Sequence, residues 1–323
     1  MYTVRLYQKN DFDSWNAFID QAKNATFLFH RNFMEYHEDR FVDYSLIIED
    51  GSKCVAVLPA NFSNNQVFSH QGLSYGGLVY DKKTKLATVL TIFKYILEFL
   101  KQNEISKFQV KLTPSFYTDY PSDELNYALF LTEAKLIRRD THAIIELQKG
   151  ISITKGRMEG VAKAIKQKLI IKEETEFHAF WNQILIPNLA EMHQAKPVHT
   201  LEEIQYLHQK FPDNIRQFNV YHYDKLVAGT TIFETKNVAH AQYISGNNDK
   251  GKLGSVDFLY HHLLTNIFSH KEIFDFGISN SNEGKTLNGG LSFWKESFGA
   301  HIISQDFYEV NTANYGLLEN VVL

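Results

Sequence analysis

Cysteine is almost missing from this 323-residue chain. Cys54 stands alone, which excludes an intrachain disulfide and suits a reducing compartment. Excess charge of either sign is also missing. Lysine and arginine number 33 against 37 aspartates and glutamates, a net charge of −4, so no global basic field exists to gather nucleic acid, and no DNA partner is expected. Long apolar runs are absent too. The longest, LATVLTIFKYILEFL at residues 86–100, carries Lys94 in its middle and falls short of the ~20 apolar residues a spanning helix needs. The opening MYTVRLYQKNDFDSW has neither the apolar core nor the small-residue cleavage site of a signal peptide. The expected location is cytoplasmic, with peripheral attachment at the inner membrane surface left open.

Several catalytic signatures are also lacking. No G-x-x-x-x-G-K-[ST] occurs, so a P-loop is excluded. Asp275-Phe276-Gly277 has the letters of a kinase motif without the glycine-rich loop, catalytic loop and A-P-E that must accompany it. There is no G-x-S-x-G elbow. The 14 histidines form no H-E-x-x-H, and no Cys/His cluster accompanies them, so no metal is expected.

What remains reads as one plan used twice. Hydrophobic residues make up 44% of the chain, enough for a core in each of the two domains that ~150 residues per domain implies. Leu86, Val89, Leu90, Phe93, Ile96, Leu97 and Leu100 fall on one helix face. GLSYGGLVY before them and KFQVKLTP after them read as strands. In the second half, VAHAQYISG reads as a strand and NNDKGKL as a loop. Val256, Leu259, Tyr260, Leu263, Leu264 and Ile267 mark a helix face, and IFDFG is the next strand. Order and spacing match, which predicts a duplicated α/β domain. The boundary is expected near residues 150–155, giving domains 1–150 and 151–323. Upstream of the second copy, IRQFNVYHYDKLVAGTTIFET reads as a hairpin turning at Asp224-Lys225. Pro187 should kink or break the helix through EFHAFWNQILIPNLAEMH. Thr200 and Glu203 suit a capping box.

Two segments offer chemistry. GNNDKGKLGS, residues 246–255, joins a strand to a helix start. Its glycines let backbone approach a ligand, and helix-start N–H groups with Lys250 and Lys252 suit phosphate. A plain surface turn with solvated lysines explains it equally well. The basic helix with Arg157, Lys163, Lys166 and Lys168 reads first as a solvated face and second as a phosphate contact.

The order hairpin YHYDKLVAGTTIF, strand AHAQYISG, glycine-containing loop, helix GSVDFLYHHLLTNIF and strand IFDFG resembles the core of the GNAT acyltransferase superfamily. The ending FDFG…SFWKESFGA resembles the F-D-F-G…F-K-x-x-F-G tail of acetyltransferases related to the Fem peptidyltransferases. The resemblance covers most of the chain. It implies an α/β (α+β) chain of two tandem GNAT-like domains, each a mixed, mostly antiparallel sheet flanked by helices, the first degenerate.

That resemblance further implies an acyl donor, acetyl-CoA or another acyl-CoA, lying between splayed strands. Ile244, Ser245, Gly246, Lys250, Gly251, Lys252, Gly254 and Ser255 are the expected donor contacts. Asp275 is the first candidate base, with a strand-end structural carboxylate as its plain alternative. Glu283 and His193 are further bases, and Lys295 is placed to meet negative charge. His70, Tyr75, Tyr243 and Asn280 are expected at a small-molecule or lipid-linked amine acceptor. The donor loop departs from the Q/R-x-x-G-x-G/A pattern of coenzyme A enzymes: it reads Asn248-Asp249-Lys250-Gly251-Lys252-Leu253-Gly254. The leading expectation is an N-acetyltransferase acting on a cell-envelope precursor such as an amino sugar. A Fem-type ligase using aminoacyl-tRNA to extend a peptidoglycan bridge and a non-catalytic binding tandem stand as alternatives.

Overall fold

A computed structural model describes residues 2–321, with the side chains of Met192 and His193 outside the described set. The chain forms two compact units. The first comprises Met1–Asp140, Glu283–Lys285 and Ser304–Leu323, and the second Thr141–Asn282 and Thr286–Ile303. The chain passes from one to the other inside the strand Lys135–Glu146 and returns inside the strand His301–Asn311.

In the first unit an antiparallel sheet runs Tyr2–Leu6, Leu46–Asp50, Lys53–Leu58, Val79–Tyr80. The helix Leu86–Gln102 buries Val89, Leu90, Phe93, Ile96, Leu97 and Leu100 of the expected stripe, and Ile92 beside it, while Leu86 at its first turn is exposed. A second set of strands places Gln66–Phe68 parallel to Lys107–Lys111, which pairs antiparallel with Phe307–Asn311. Of the expected strand through GLSYGGLVY only Val79–Tyr80 is one. Gly76 lies against the Ser69 carbonyl, where a Cβ would stand 2.0 Å from that oxygen, and Gly77 is left-handed. Neither position suits an extended ladder.

In the second unit the strand order is Ile170–Glu174, Ile215–His222, Lys225–Glu234, Val238–Gly246, Ile273–Ile278, then the later part of Lys135–Glu146. All neighbours are antiparallel except Val238–Gly246 beside Ile273–Ile278. The expected hairpin forms, but its turn is Tyr223-Asp224, one residue earlier than expected, with Lys225 already paired to His222 and Tyr223 taking a positive φ. The helix Ser255–His262 and the π-helical turn Leu263–Ile267 bury Leu259, Tyr260, Leu263 and Leu264 against Ala239, Ala241, Phe274 and Phe276. Pro187 does not break its helix. Residues 178–193 stay helical throughout, and the π-helical stretch Trp181–Leu185 lies immediately before Pro187, a local irregularity that accommodates the N–H the proline lacks. The capping box forms: the Thr200 hydroxyl accepts from Glu203 N–H at 3.1 Å and the Glu203 carboxylate from Thr200 N–H at 2.9 Å. Among the described residues no helix is long and apolar enough to cross a membrane.

Candidate active site

The site in the second unit begins with a pair of strands that start together and come apart. Val238, Ala239 and His240 pair with Ile273, Phe274 and Asp275. Past that point Val238–Gly246 keeps its ladder with Lys225–Glu234, out to Ala228 opposite Gly246. Ile273–Ile278 instead follows the other neighbour, with Ile278 opposite His142. A register shift on the first strand sets Tyr243 opposite Thr231 and Ala241 opposite Ile232. Gln242 is therefore the extra residue of a bulge, a device that bends a strand away from its neighbour. Residues 241–246 are left with one ladder edge unpaired by strand among the described residues, the kind of edge an extended ligand can join.

A cleft of about 420 Å³ opens there. Ile244, Ser245, Gly246, Lys250 and Gly251, five of the expected donor contacts, line it with Arg157, Asn188, Val256, Asp257, Leu291 and Trp294. Asn188 donates to the Ser245 hydroxyl at 2.8 Å. The Arg157 guanidinium donates to Asp257 at 2.8 Å, which ties down the cation that the basic helix brings. Burial raises the Asp257 carboxyl above its ordinary value, against the opposing pull of Arg157.

The three remaining donor candidates do not line this cleft. Lys252 is exposed. Gly254 has φ +66°, and a Cβ there would stand 2.0 Å from the Gly160 carbonyl oxygen, so its glycine serves helix packing. Ser255 is fully buried. Residues 250–253, expected as loop, form a helical turn, because Asn247 ties the chain from both sides. Its N–H donates to the Val227 carbonyl and its own carbonyl accepts from Lys250 N–H, both at 3.0 Å.

Asp275 sits at the last paired position, fully buried. Its Oδ2 accepts from Nδ1 of His142 and Nδ1 of His240, each at 2.9 Å, and its Oδ1 from Gly277 N–H at 2.7 Å. Burial disfavours the charge, but the two imidazoles and these hydrogen bonds outweigh it and hold the carboxyl well below the usual carboxylate range. Such a group is a weak base and a strong orienting anchor. With Nδ1 donating to Asp275, a neutral His240 carries its lone pair on Nε2.

Lys295 comes from the helix Gly289–Glu296 and is buried. Its ammonium donates to the carbonyls of Gly277 at 2.8 Å and Ile278 at 2.7 Å. Burial lowers its pKa to about 8, opposed by the nearby Asp275. Trp294 packs edge-on against Tyr260 and Phe276 while lining the cleft, and Phe298 is wholly core.

Other expected site residues lie elsewhere. Tyr243 is buried, its hydroxyl accepting from His199 N–H at 3.1 Å and bonded to His199 Nδ1 at 2.7 Å. Asn280 accepts from Thr141 N–H at 2.7 Å, holding the start of the polar loop. Glu283 is exposed and grouped with the first unit. There it lines a separate cleft with His70. Tyr75 is core, bonded to Thr26 at 2.9 Å. The His193 side chain lies outside the described residues. Sequence reasoning missed His142 and His240. Each lies inside a strand, and nothing local marks either as a partner of Asp275.

No family model matches the chain, and no curated protein sequence matches it. Solved structures do. FemX aligns over 98% of this chain and 99% of its own, with a TM-score of 0.68 at 9% identity. The C-terminal domain of a putative lysylphosphatidylglycerol synthetase from Agrobacterium fabrum aligns over 95% of this chain and 94% of its own, with a TM-score of 0.61 at 12% identity. A tandem GNAT protein from the clavulanic acid biosynthesis pathway aligns over 97% and 99%, with a TM-score of 0.55 at 12% identity. At such identities the likeness is one of fold, and this chain has the tandem GNAT-like, Fem-related fold.

Proposed function

We propose that the chain is an N-acyltransferase. Its donor is acetyl-CoA or another acyl-CoA, and its acceptor an amino group of a cell-envelope precursor such as an amino sugar. The observation that carries this reading is the strand separation after His240 and Asp275, with its cleft at residues 244–246. A donor amide arm fits the unpaired edge as a missing strand, and backbone N–H groups there suit the developing oxyanion of a thioester carbonyl. The amine nitrogen bonds to the acyl carbon, the C–S bond breaks, and the leaving thiolate takes a proton. His240, oriented by Asp275, is the group we assign to take the amine's proton. Lys295 fixes the carbonyls where the second strand turns away. The acceptor class rests on the Fem-related fold.

A specific feature favours a second donor, aminoacyl-tRNA. Gly254 N–H donates to the Lys250 carbonyl at 2.8 Å, and its Cα faces Gly160, so the last glycine of the loop is closed to a pyrophosphate.

Calorimetry with acetyl-CoA tests the first reading, on wild type and on Lys250→Glu, an exposed cleft residue. Micromolar binding weakened tenfold or more by the charge reversal supports it. A folded protein that binds no acyl-CoA refutes it. Steeply salt-dependent tRNA binding would then support the second donor.

A further inference from the structure

The first unit has a cleft of its own, of about 370 Å³. Phe68 and Phe307 supply aromatic rings, and His70, Gln71, Lys111, Arg138 and the exposed Glu283 supply polar groups. The donor binding and proton transfer assigned to the second unit use none of it, and His70 and Glu283, expected at the acceptor and as a base, both line it.

His70 is the best-defined part. It is buried yet left-handed, with φ +67°, a conformation disfavoured outside glycine. The chain around it is fixed from both sides. Ser69 N–H donates to the Gln109 carbonyl at 2.8 Å, Lys111 N–H to the Ser69 hydroxyl at 2.8 Å, and Gln71 N–H to the buried Asn61 side chain at 2.7 Å. Residues held this way cluster at active sites and ligand clamps. Neither ring nitrogen of His70 has a hydrogen bond among the described residues, and Nδ1 is sealed from solvent. Nε2 is therefore the nitrogen able to meet a ligand.

Lys111 stands beside it with its ammonium bonded to one carbonyl, that of Leu73. It makes no ion pair among the described residues; besides that carbonyl it lies 5.8 Å from the centre of the Phe307 ring, which leaves N–H donors for an oxyanion. Arg138 is forked onto the buried Asp140, with contacts of 3.1, 3.1 and 2.6 Å, and lies 4.4 Å over the Phe307 ring. The pair keeps the guanidinium in place at the cleft wall.

We propose that this cleft binds a sugar-sized polar molecule through a phosphate or carboxylate group, received by the Lys111 ammonium with Arg138 and His70 Nε2–H beside it. The volume suits a ligand of that size, the aromatic walls suit the apolar face of a ring, and an oxyanion supplies what the unpaired ammonium lacks. Burial holds His70 well below its usual pKa, and His37, Arg31 and Lys111 add to the effect, so it enters as a neutral donor. The site stands whether or not the second unit transfers acyl groups.

Glucose 6-phosphate, glucuronate and glucose are the probes, titrated by calorimetry at pH 7 in low chloride. At least one anionic sugar should bind with a Kd below ~10 mM and neutral glucose at least tenfold more weakly. Which anion binds identifies the group. Lys111→Met should weaken binding about 10- to 100-fold. His70→Asn, which tolerates the left-handed backbone, should weaken it several-fold, and Glu283→Gln should strengthen it. Thermal unfolding of each variant verifies folding. Burial, with Arg138, lowers Lys111 to about 8 while Asp140 raises it. Glucuronate affinity should therefore fall as pH rises past 8; the other charged or titratable groups facing Lys111 are Arg138, His70, Glu283 and Asp140. No binding by either anion, equal binding by glucose, or unchanged affinity in folded Lys111→Met and His70→Asn overturns the proposal.

Discussion

Two lysines, one in each unit, have the same depressed pKa and opposite surroundings. Burial brings both Lys111 and Lys295 down to about 8. Lys295 is spent: it bridges the carbonyls of Gly277 and Ile278, while a carboxylate near each lysine, Asp275 and Asp140, raises both. Lys111 is bonded to one carbonyl and opens on a cleft with no carboxylate bound to it among the described residues. The two differ in what satisfies the ammonium. A lysine satisfied by backbone holds a fold in place. A lysine left unsatisfied beside a cavity is waiting for an anion. Perturbed pKa values gather at functional sites, but the value alone does not separate these cases, and the hydrogen-bond inventory does.

The largest effect should come from the anchor next to Lys295. Asp275→Asn removes a buried charge held by two histidines and Gly277 N–H. We expect a loss of about 3–5 kcal/mol in urea unfolding. Acid reports the same group. A depressed carboxylate contributes stability that is present above its unfolded value near 3.9 and is lost as pH falls through its folded value. The wild type should therefore lose stability below pH 4 more than Asp275→Asn does.

Next is Lys295→Met, which leaves the buried Gly277 carbonyl and the half-buried Ile278 carbonyl without their donor. The expected cost is roughly 2–4 kcal/mol, with acyl transfer falling alongside. If Lys295→Met is as stable as wild type, the bracket role is wrong and the contrast with Lys111 collapses.

A pH series sharpens the comparison at lower cost to the fold. Both lysines have folded values below the unfolded 10.4. Between about pH 8 and 10 each therefore binds more protons in the unfolded chain than in the native one, and its contribution to stability rises with pH, against the opposite contribution of Cys54, whose thiol is pushed up by burial. The gain should be on the order of 1–3 kcal/mol. It should shrink in Lys295→Met and in Lys111→Met, and vanish in the double variant.

How much of this was legible in the sequence follows from how local each signal is. The helix Leu86–Gln102 was legible because seven apolar residues fall on one face. So was the Thr200 cap, which spans four residues. The strand separation became visible through the resemblance of residues 238–278 to a known core, not through periodicity, since VAHAQYISG and IFDFG read as ordinary buried strands. The site's chemistry was less visible. Asp275 was singled out, but its partners lie 133 and 35 residues away, and a histidine inside a strand gives no sign of what it faces. Glycine misled in two ways, at Gly254 as a donor contact and at Gly76 as part of a strand. Gly254 serves contact with Gly160, and Gly76 serves contact with Ser69. Only tertiary packing separates a glycine kept for a ligand from one kept for a neighbouring backbone.

The smallest stability effect is expected at Lys111, and there it is the most informative. Lys111→Met loses one hydrogen bond to the Leu73 carbonyl and removes an ammonium whose burial is itself unfavourable. The two changes oppose each other, so unfolding free energy should move by no more than about 1 kcal/mol in either direction. A lysine that stability does not require, set beside a strained histidine with no hydrogen bond of its own among the described residues, has its reason in a ligand. A loss of several kcal/mol in Lys111→Met, with the protein free of any anion, would make Lys111 a second bracket like Lys295 and the first-unit cleft a by-product of packing.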